Sequence, residues 1–288
     1  MLTAVEVHSK SIGVPKLSLP LFGNDGMGAF HIRNIDGLGP VKATVNSKGY
    51  GSLDGEYYTG SHIGKRNIVI TLGMNPAAGF RSVEAMRKVI YAYLLTRNEP
   101  ILRFISDDRP DVQIEGHVES CEPTLFSKDP EMQISIICPK PFFVSSTLKS
   151  VSGVASAAPL FTPFIHDCDM TNGIGFQMFK GAQDYDGSIT IESGDHRPTT
   201  RQFMIYRDQK PVGINSAQYF ALNSHQGSKT VELRNTSTNV RVANLLGNVT
   251  DPSLWPYVVP GINRVRVLIN SNVGMPWILY YVERFGGL

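Results

Sequence analysis

Between residues 132 and 138 apolar side chains stand at every second position: Met132, Ile134, Ile136 and Cys138 alternate with Gln133, Ser135 and Ile137. A period of two over this length predicts a β-strand with one buried face. Residues 66–72, 101–105 and 112–121 are β-rich in the same way, and the last alternates strictly over its first five positions. Beyond residue 150 the pattern shortens to 188–192, 203–206, 229–234, 264–270 and 277–284, divided by Gly, Asn, Asp and Pro. One segment changes period. Val83, Met86, Ile90, Tyr93 and Leu94 recur at helical spacing behind an N-cap at Ser82, with Glu84 in the first turn. Asn98-Glu99-Pro100 stops it, so a helix is predicted over about 83–97 with Arg97 in its last turn.

The predicted fold is mainly β. A β-sandwich-like first domain holds the helix, and a second β-sandwich of short strands follows it. The boundary is marked by Cys138-Pro-Lys-Pro-Phe-Phe143. Pro139 and Pro141 donate nothing to a ladder and so close a sheet. Phe142 and Phe143 then plug the chain back toward the first core, which makes Pro139, Pro141, Phe142 and Phe143 interdomain candidates. Residues 144–160, rich in Ser, Ala and Val, read as a connector between domains at 1–143 and 161–288.

Charge excludes one class of function. Residues 1–143 carry 15 Lys/Arg and 15 Asp/Glu, residues 144–288 carry 12 and 10, and the net charge is +2. A sequence-independent nucleic-acid binder neutralises several phosphates and needs a larger cationic excess. The start, Met1 to Lys10, lacks a basic segment followed by an apolar one, and the longest apolar run, Val89 to Leu95, is too short to span a bilayer. Cys121, Cys138 and Cys168 make an odd count, which argues against a disulfide framework. The sequons at Asn235 and Asn248 are read as chance.

Candidate chemistry is sparse. The acidic groups Asp54/Glu56 and Asp107/Asp108/Asp111 sit in turn composition and read as solvated hairpins before they read as paired catalytic carboxylates. His117, Cys121, His166 and Cys168 match no compact metal spacing. There is no Gly-x-Ser-x-Gly, and the glycine-rich residues 23–28 form neither a P-loop nor a dinucleotide fingerprint. No catalytic residue, metal or cofactor is therefore expected. Trp255, Tyr257, Trp277, Tyr280 and Tyr281 are candidates for stacking sugars, with core packing or subunit contact the stronger reading.

Taken in order, these features resemble the siphophage distal tail (Dit) proteins of the phage tail-component family. The first half matches through Ile35-Asp-Gly-Leu-Gly-Pro40, residues 60–66 leading into a strand, the helix, and the strand ending in Cys138-Pro-x-Pro-Phe-Phe143. The second matches a galectin-like, carbohydrate-binding-module-like sandwich through residues 188–192, Val259-Pro-Gly-Ile-Asn263 and the terminal Tyr281–Leu288. The resemblance implies a non-enzymatic baseplate hub: a homo-hexameric ring made by the first (belt) domain, set between the tail tube protein and the tail-tip or tail-associated hub protein. Receptor-binding or side-fibre proteins would be further partners. DNA would pass the lumen without being gripped, and the protein would be assembled in the host cytoplasm into the virion, with no membrane insertion. Tyr50, Asp54, Glu56, Tyr57 and Tyr58 lie in a Gly- and Tyr-rich stretch that reads either as a subunit-interface arm or as an ordinary hairpin loop. The rival functions are a carbohydrate-binding protein whose second sandwich takes host surface saccharides, and a hydrolase using Asp54, Glu56, Asp107 and Asp108.

Overall fold

The computed structural model describes residues 1–9, 16–21, 28–51, 54–125, 127–179, 187–193, 199–205, 217–249, 254–269 and 274–288. The glycine-rich residues Gly23, Asn24, Asp25, Gly26 and Met27, with Ser52, Leu53, Tyr206 and Asn270, lie outside them. The described chain divides into two units, Met1–Thr147 with Phe285–Leu288, and Leu148–Arg284.

In the first unit β1 (Leu2–Ser9), β2 (Leu17–Pro20), β3 (Phe30–Asp36), β4 (Ala43–Gly49), β5 (Glu56–Ile63) and β6 (Arg66–Met74) precede α1 (Val83–Leu94). After the helix come β7 (Pro100–Ser106), β8 (Val112–Glu115), β9 (His117–Pro123), β10 (Glu131–Cys138) and β11 (Phe143–Ser145). The second unit begins with β12 (Lys149–Ala155), β13 (Thr162–His166), β14 (Asn172–Gly173), β15 (Gly175–Phe179), β16 (Gly187–Ser193) and β17 (Thr199–Ile205). It continues with β18 (Gln218–Asn223), β19 (Thr230–Asn235), β20 (Arg241–Asn244), β21 (Tyr257–Val258), β22 (Gly261–Ile269) and β23 (Met275–Tyr281). The short β24 (Arg284–Phe285) closes the order.

The first unit packs a six-stranded sheet, β2-β1-β7-β8-β11-β24, and a four-stranded sheet, β3-β6-β10-β9, around one core. The alternation that predicts β10 is what builds this core. Met132, Ile134 and Ile136 pair with Leu72, Ile70 and Ile68 of β6, and all six are fully buried. Each such side chain contributes about 1.5–3 kcal/mol. The α1 helix adds Met86, Ile90 and Leu94, and its Ser82 hydroxyl accepts from the Ala85 amide at 3.3 Å.

The helix stops at Leu94, a turn short of the predicted end at 97. Arg97 leaves the helical region at φ +76, its amide donates to the Val118 carbonyl at 3.1 Å, and the Val118 amide donates to Asn98 at 2.9 Å. Pairing with β9 therefore outcompetes one more helical turn. The predicted strand at 112–121 is likewise broken. Gly116 passes the chain from β8 in one sheet to β9 in the other. A Cβ there would sit 2.4 Å from Ile136 Cγ2 and 3.0 Å from Cys138 Sγ, so only glycine makes this corner.

Residues 144–160, expected as a connector, are largely strand. Val144 and Ser145 complete β11 against β8, while β12 pairs with β23 from Lys149↔Tyr281 to Ala155↔Met275. Ladder pairing along the sheet edge overrides a composition that reads as loose. The second correction is at the C-terminus, where Phe285–Leu288 belong to the first unit.

The second unit is a sandwich of β12-β23-β15-β18-β19-β20 and β13-β22-β16-β17. Phe176, Phe220 and Trp277 from one sheet and Ile189, Ile191, Val265 and Val267 from the other share its core, with Phe176 stacked on Trp277 at 6.0 Å. His166, fully buried at the end of β13, stands edge-on to Tyr281 at 5.1 Å. Burial first, and then the Lys149 ammonium, push its pKa down from 6.5 to about 4.

A base depressed in the folded state stays neutral there while the unfolded chain takes up a proton. Stability that is full above pH 6.5 is therefore lost as the pH falls toward 4, by about 1.4 kcal/mol per pH unit. Thermal unfolding at pH 7.5 and pH 5 should show this loss in the native protein and a flatter dependence in His166→Gln. An equal pH dependence in both proteins would remove His166 as its source.

Candidate assembly surface

The β4–β5 hairpin pairs with no other strand among the described residues. Residues 42–51 and 54–65 are exposed throughout, apart from half-buried Gly60. Its register runs from Ala43↔Ile63 to Asn46↔Gly60, skips one residue at a bulge, and resumes from Ser47↔Tyr58 to Gly49↔Glu56. The bulge matters for what the hairpin presents. By absorbing one residue it restores the alternation so that Tyr58 shares a face with Val45 and Ile63. Tyr58 donates to Ser61 at 2.9 Å along this face and is 63% exposed, with Val45 at 64%. Tyr50 and Tyr57 pack on each other at 5.5 Å on the opposite face.

An isolated two-stranded hairpin is marginal in water, and both edges of this one carry unpaired backbone groups. Its orientation is fixed at the root. Arg66, the first residue of β6, is buried to 2% exposure although its neighbour Lys65 is exposed. Its Nε donates to the Pro141 carbonyl at 2.7 Å, Nη1 to Gly37 and to Gly39 (2.7 Å), and Nη2 to Gly286. The guanidinium also lies over the Phe143 ring at 4.4 Å. One side chain thus ties the segment entering the hairpin, the strand leaving it, the proline corner and the C-terminal tail. The tail is held further by the Leu288 amide, which donates to the Leu38 carbonyl at 3.0 Å. Gly37 at φ +87 is required here, since a Cβ would lie 2.0 Å from the Asn67 carbonyl oxygen. Burial pulls the Arg66 pKa down, but no carboxylate is among these partners, so carbonyl dipoles carry the compensation.

Of the sequence-predicted interface residues, the structure brings Tyr50, Glu56, Tyr57 and Tyr58 onto this hairpin, with Glu56 accepting from Ser47 and Asp54 exposed at the tip. Among the interdomain candidates, Phe143 is fully buried in the first unit's own core, edge-on to Phe104 at 5.4 Å. Pro141 and Phe142 are half-buried and Pro139 is exposed. Sequence reasoning misses Arg66. The available signal is parity: Arg66 occupies the buried phase of a strand that continues with Ile68, Ile70 and Leu72.

Catalytic chemistry gains no geometry. Asp107 and Asp108 are exposed in the β7–β8 turn, and Asp111 is engaged by Arg103 at 2.7 Å. Among the described residues no three His, Cys, Asp or Glu side chains converge as metal ligands. Cys121 and Cys138 are free thiols that burial pushes up to about 11, far from a reactive thiolate. Trp277 and Tyr281 face the second core, Trp255 packs against it beneath Lys229, and Tyr280 points the other way. No helix among the described residues is long and apolar enough to cross a membrane.

No protein-family profile matches the chain, and no curated protein sequence does. Solved structures do. The chain superposes on the Dit protein (gp 19.1) of phage SPP1, described as a paradigm of the hub adsorption apparatus in phages infecting Gram-positive bacteria. The TM-score is 0.62 at 13% identity, covering 89% of this chain and 94% of that one. A chain of the phage p2 baseplate in its activated conformation aligns over 97% of this chain and 98% of its own, at 10% identity and a TM-score of 0.47. The fold is therefore that of the SPP1 hub protein.

Replacing Arg66 with Met leaves four carbonyls without their donor and should cost about 3–5 kcal/mol in chemical denaturation. Deleting residues 286–288 removes part of the same node, so the two changes together should cost clearly less than their sum. Strict additivity would show that the tail and the hairpin root are independent.

Proposed function

We propose that the chain is a non-enzymatic structural hub at the distal end of a long, non-contractile phage tail, closing into a ring through its first unit. The observation that carries this reading is the β4–β5 hairpin, a self-paired ribbon with Val45, Tyr58 and Ile63 exposed on one face. A ring is built from head-to-tail contacts, in which one patch of each copy meets a different patch of the next. A ribbon with free edges supplies such a patch by adding strands to a neighbour's sheet while burying its apolar face. The fold shared with the SPP1 hub protein supports the placement, and the small net charge suits a lumen that passes DNA without holding phosphates.

In this reading six copies stack between the tail tube protein and the tail-tip protein, with receptor-binding or side-fibre proteins as further partners, in a virion assembled in the host cytoplasm. Tyr50, Asp54, Glu56, Tyr57 and Tyr58 lie at the contact between copies.

Light scattering across concentration tests the ring. Six chains of 31.7 kDa give about 190 kDa. Val45→Glu with Tyr58→Glu places two charges where the neighbour's apolar surface would be. Each lost apolar burial is worth about 1.5–3 kcal/mol, so the variant should run as a monomer that keeps the native circular dichroism spectrum. A double variant that still assembles to the native mass would overturn the hairpin as the contact.

A further inference from the structure

The outer face of the second unit's six-stranded sheet is shaped differently from the hairpin. Phe176, Phe220, Leu222, Leu233 and Trp277 point into the core, so their neighbours along each strand point out. Register then sets two rows. In one, Tyr280 stands beside Gly175, Gly175 beside Asn223, and Asn223 beside Thr230. In the next, Gln177 stands beside Ala221 and Ala221 beside Glu232. The two small residues form a floor, and the larger ones rise on either side. The result is an open groove of about 570 Å3, within the roughly 300–1,000 Å3 of small-molecule sites.

Its polar wall is fixed before any ligand arrives. Glu232 is 6% exposed, and Arg234 donates to its Oε2 through Nε at 2.8 Å and Nη2 at 2.7 Å. Arg241 lies 3.7 Å from its other oxygen. Arg234 Nη1 reaches the Asn239 carbonyl at 3.0 Å, and Asn239 accepts from the Tyr219 hydroxyl. The opposite wall carries the Tyr280 ring and Leu148. Between them the Gln177 amide makes no hydrogen bond among the described residues and faces the groove with a donor and an acceptor.

We infer that this groove is a binding site for a neutral saccharide, with one pyranose ring set against Tyr280 over Gly175 and Ala221 and adjacent hydroxyls bonded to Gln177, Asn223 and the Glu232–Arg234 pair. The chemistry separates this ligand from others. Vicinal hydroxyls take paired donor and acceptor bonds from planar amide, carboxylate and guanidinium groups, and the carbon face of a sugar ring covers an aromatic. A phosphate-bearing ligand needs cations to spare, whereas both arginines here are engaged by one carboxylate. A protein partner is fixed by large apolar anchors in a desolvated centre, whereas this groove has only two small residues for its floor and a bonded polar network for one wall. Hydroxyl recognition in a rigid, half-buried network also gives selectivity, because a sugar lacking one hydroxyl leaves a fixed group unpaired.

The test uses the full chain on an array of neutral di- to tetrasaccharides ending in glucose, galactose, mannose or rhamnose, followed by titration calorimetry with a retained sugar. The native protein should retain at least one series. Gln177→Ala and Ala221→Gln should each weaken it at least tenfold with melting temperatures unchanged, because both positions face outward. Glu232→Gln should weaken it as well, and loss of its fold would leave the other two variants to decide. Retention of no saccharide, or equal retention by Gln177→Ala and Ala221→Gln, overturns the proposal. Light scattering on the same samples keeps the outcome separate from ring assembly, since none of these positions lies in the first unit.

Discussion

A guanidinium with 2% exposure and no carboxylate beside it is the constraint around which the first unit is arranged. Taking an arginine out of water costs several kcal/mol unless its donors are used, and the five N–H groups of Arg66 point in fixed directions. Satisfying them demands that four carbonyls, from Pro141, Gly37, Gly39 and Gly286, arrive at one place. Those residues are scattered over the chain. Their convergence therefore stiffens a root at which the hairpin begins and ends. A ribbon that contributes nothing to its own core stays aimed because its base is over-determined.

The same node explains the proline corner. Pro139 and Pro141 end β10 by withholding amide donors, as the sequence suggests, but Pro141 also offers its carbonyl to Arg66. Phe143 then does two things. It fills the core against Phe104 and supplies the ring over which the guanidinium lies. Two adjacent phenylalanines divide the work, one fully buried and one half-buried.

Period-two strands, the single helix and the split into a helix-bearing sandwich and an all-β sandwich were legible from the sequence, because each rests on local periodicity that burial then enforces. What escaped was long-range. Phe285–Leu288 belong to the first unit although the chain has just traversed the second, held there by the Arg66 and Leu38 hydrogen bonds and by Phe285 and Leu288 packing on the first core. Gly116 looked like one residue of a strand, because nothing local tells that β8 and β9 enter different sheets. The hairpin was legible in its Gly and Tyr content but ambiguous, since an arm and a loop share that composition. The groove was less visible still: Gln177, Ala221 and Glu232 come from three strands and become neighbours only by register.

The two surfaces divide by the free energy each has in reserve. On the hairpin, apolar side chains and unpaired backbone edges remain unsatisfied until another chain covers them, so contact there brings a gain from burial that grows with area. In the groove the Tyr219, Glu232, Arg234 and Asn239 side chains are already bonded to one another, so a large partner would have to break bonds to gain area. A small ligand that matches the existing donor and acceptor directions adds bonds without breaking them. The first kind of surface stands on a stiff root and the second on a sheet face, so the proposed contact between copies and the proposed saccharide site draw on different reserves of free energy.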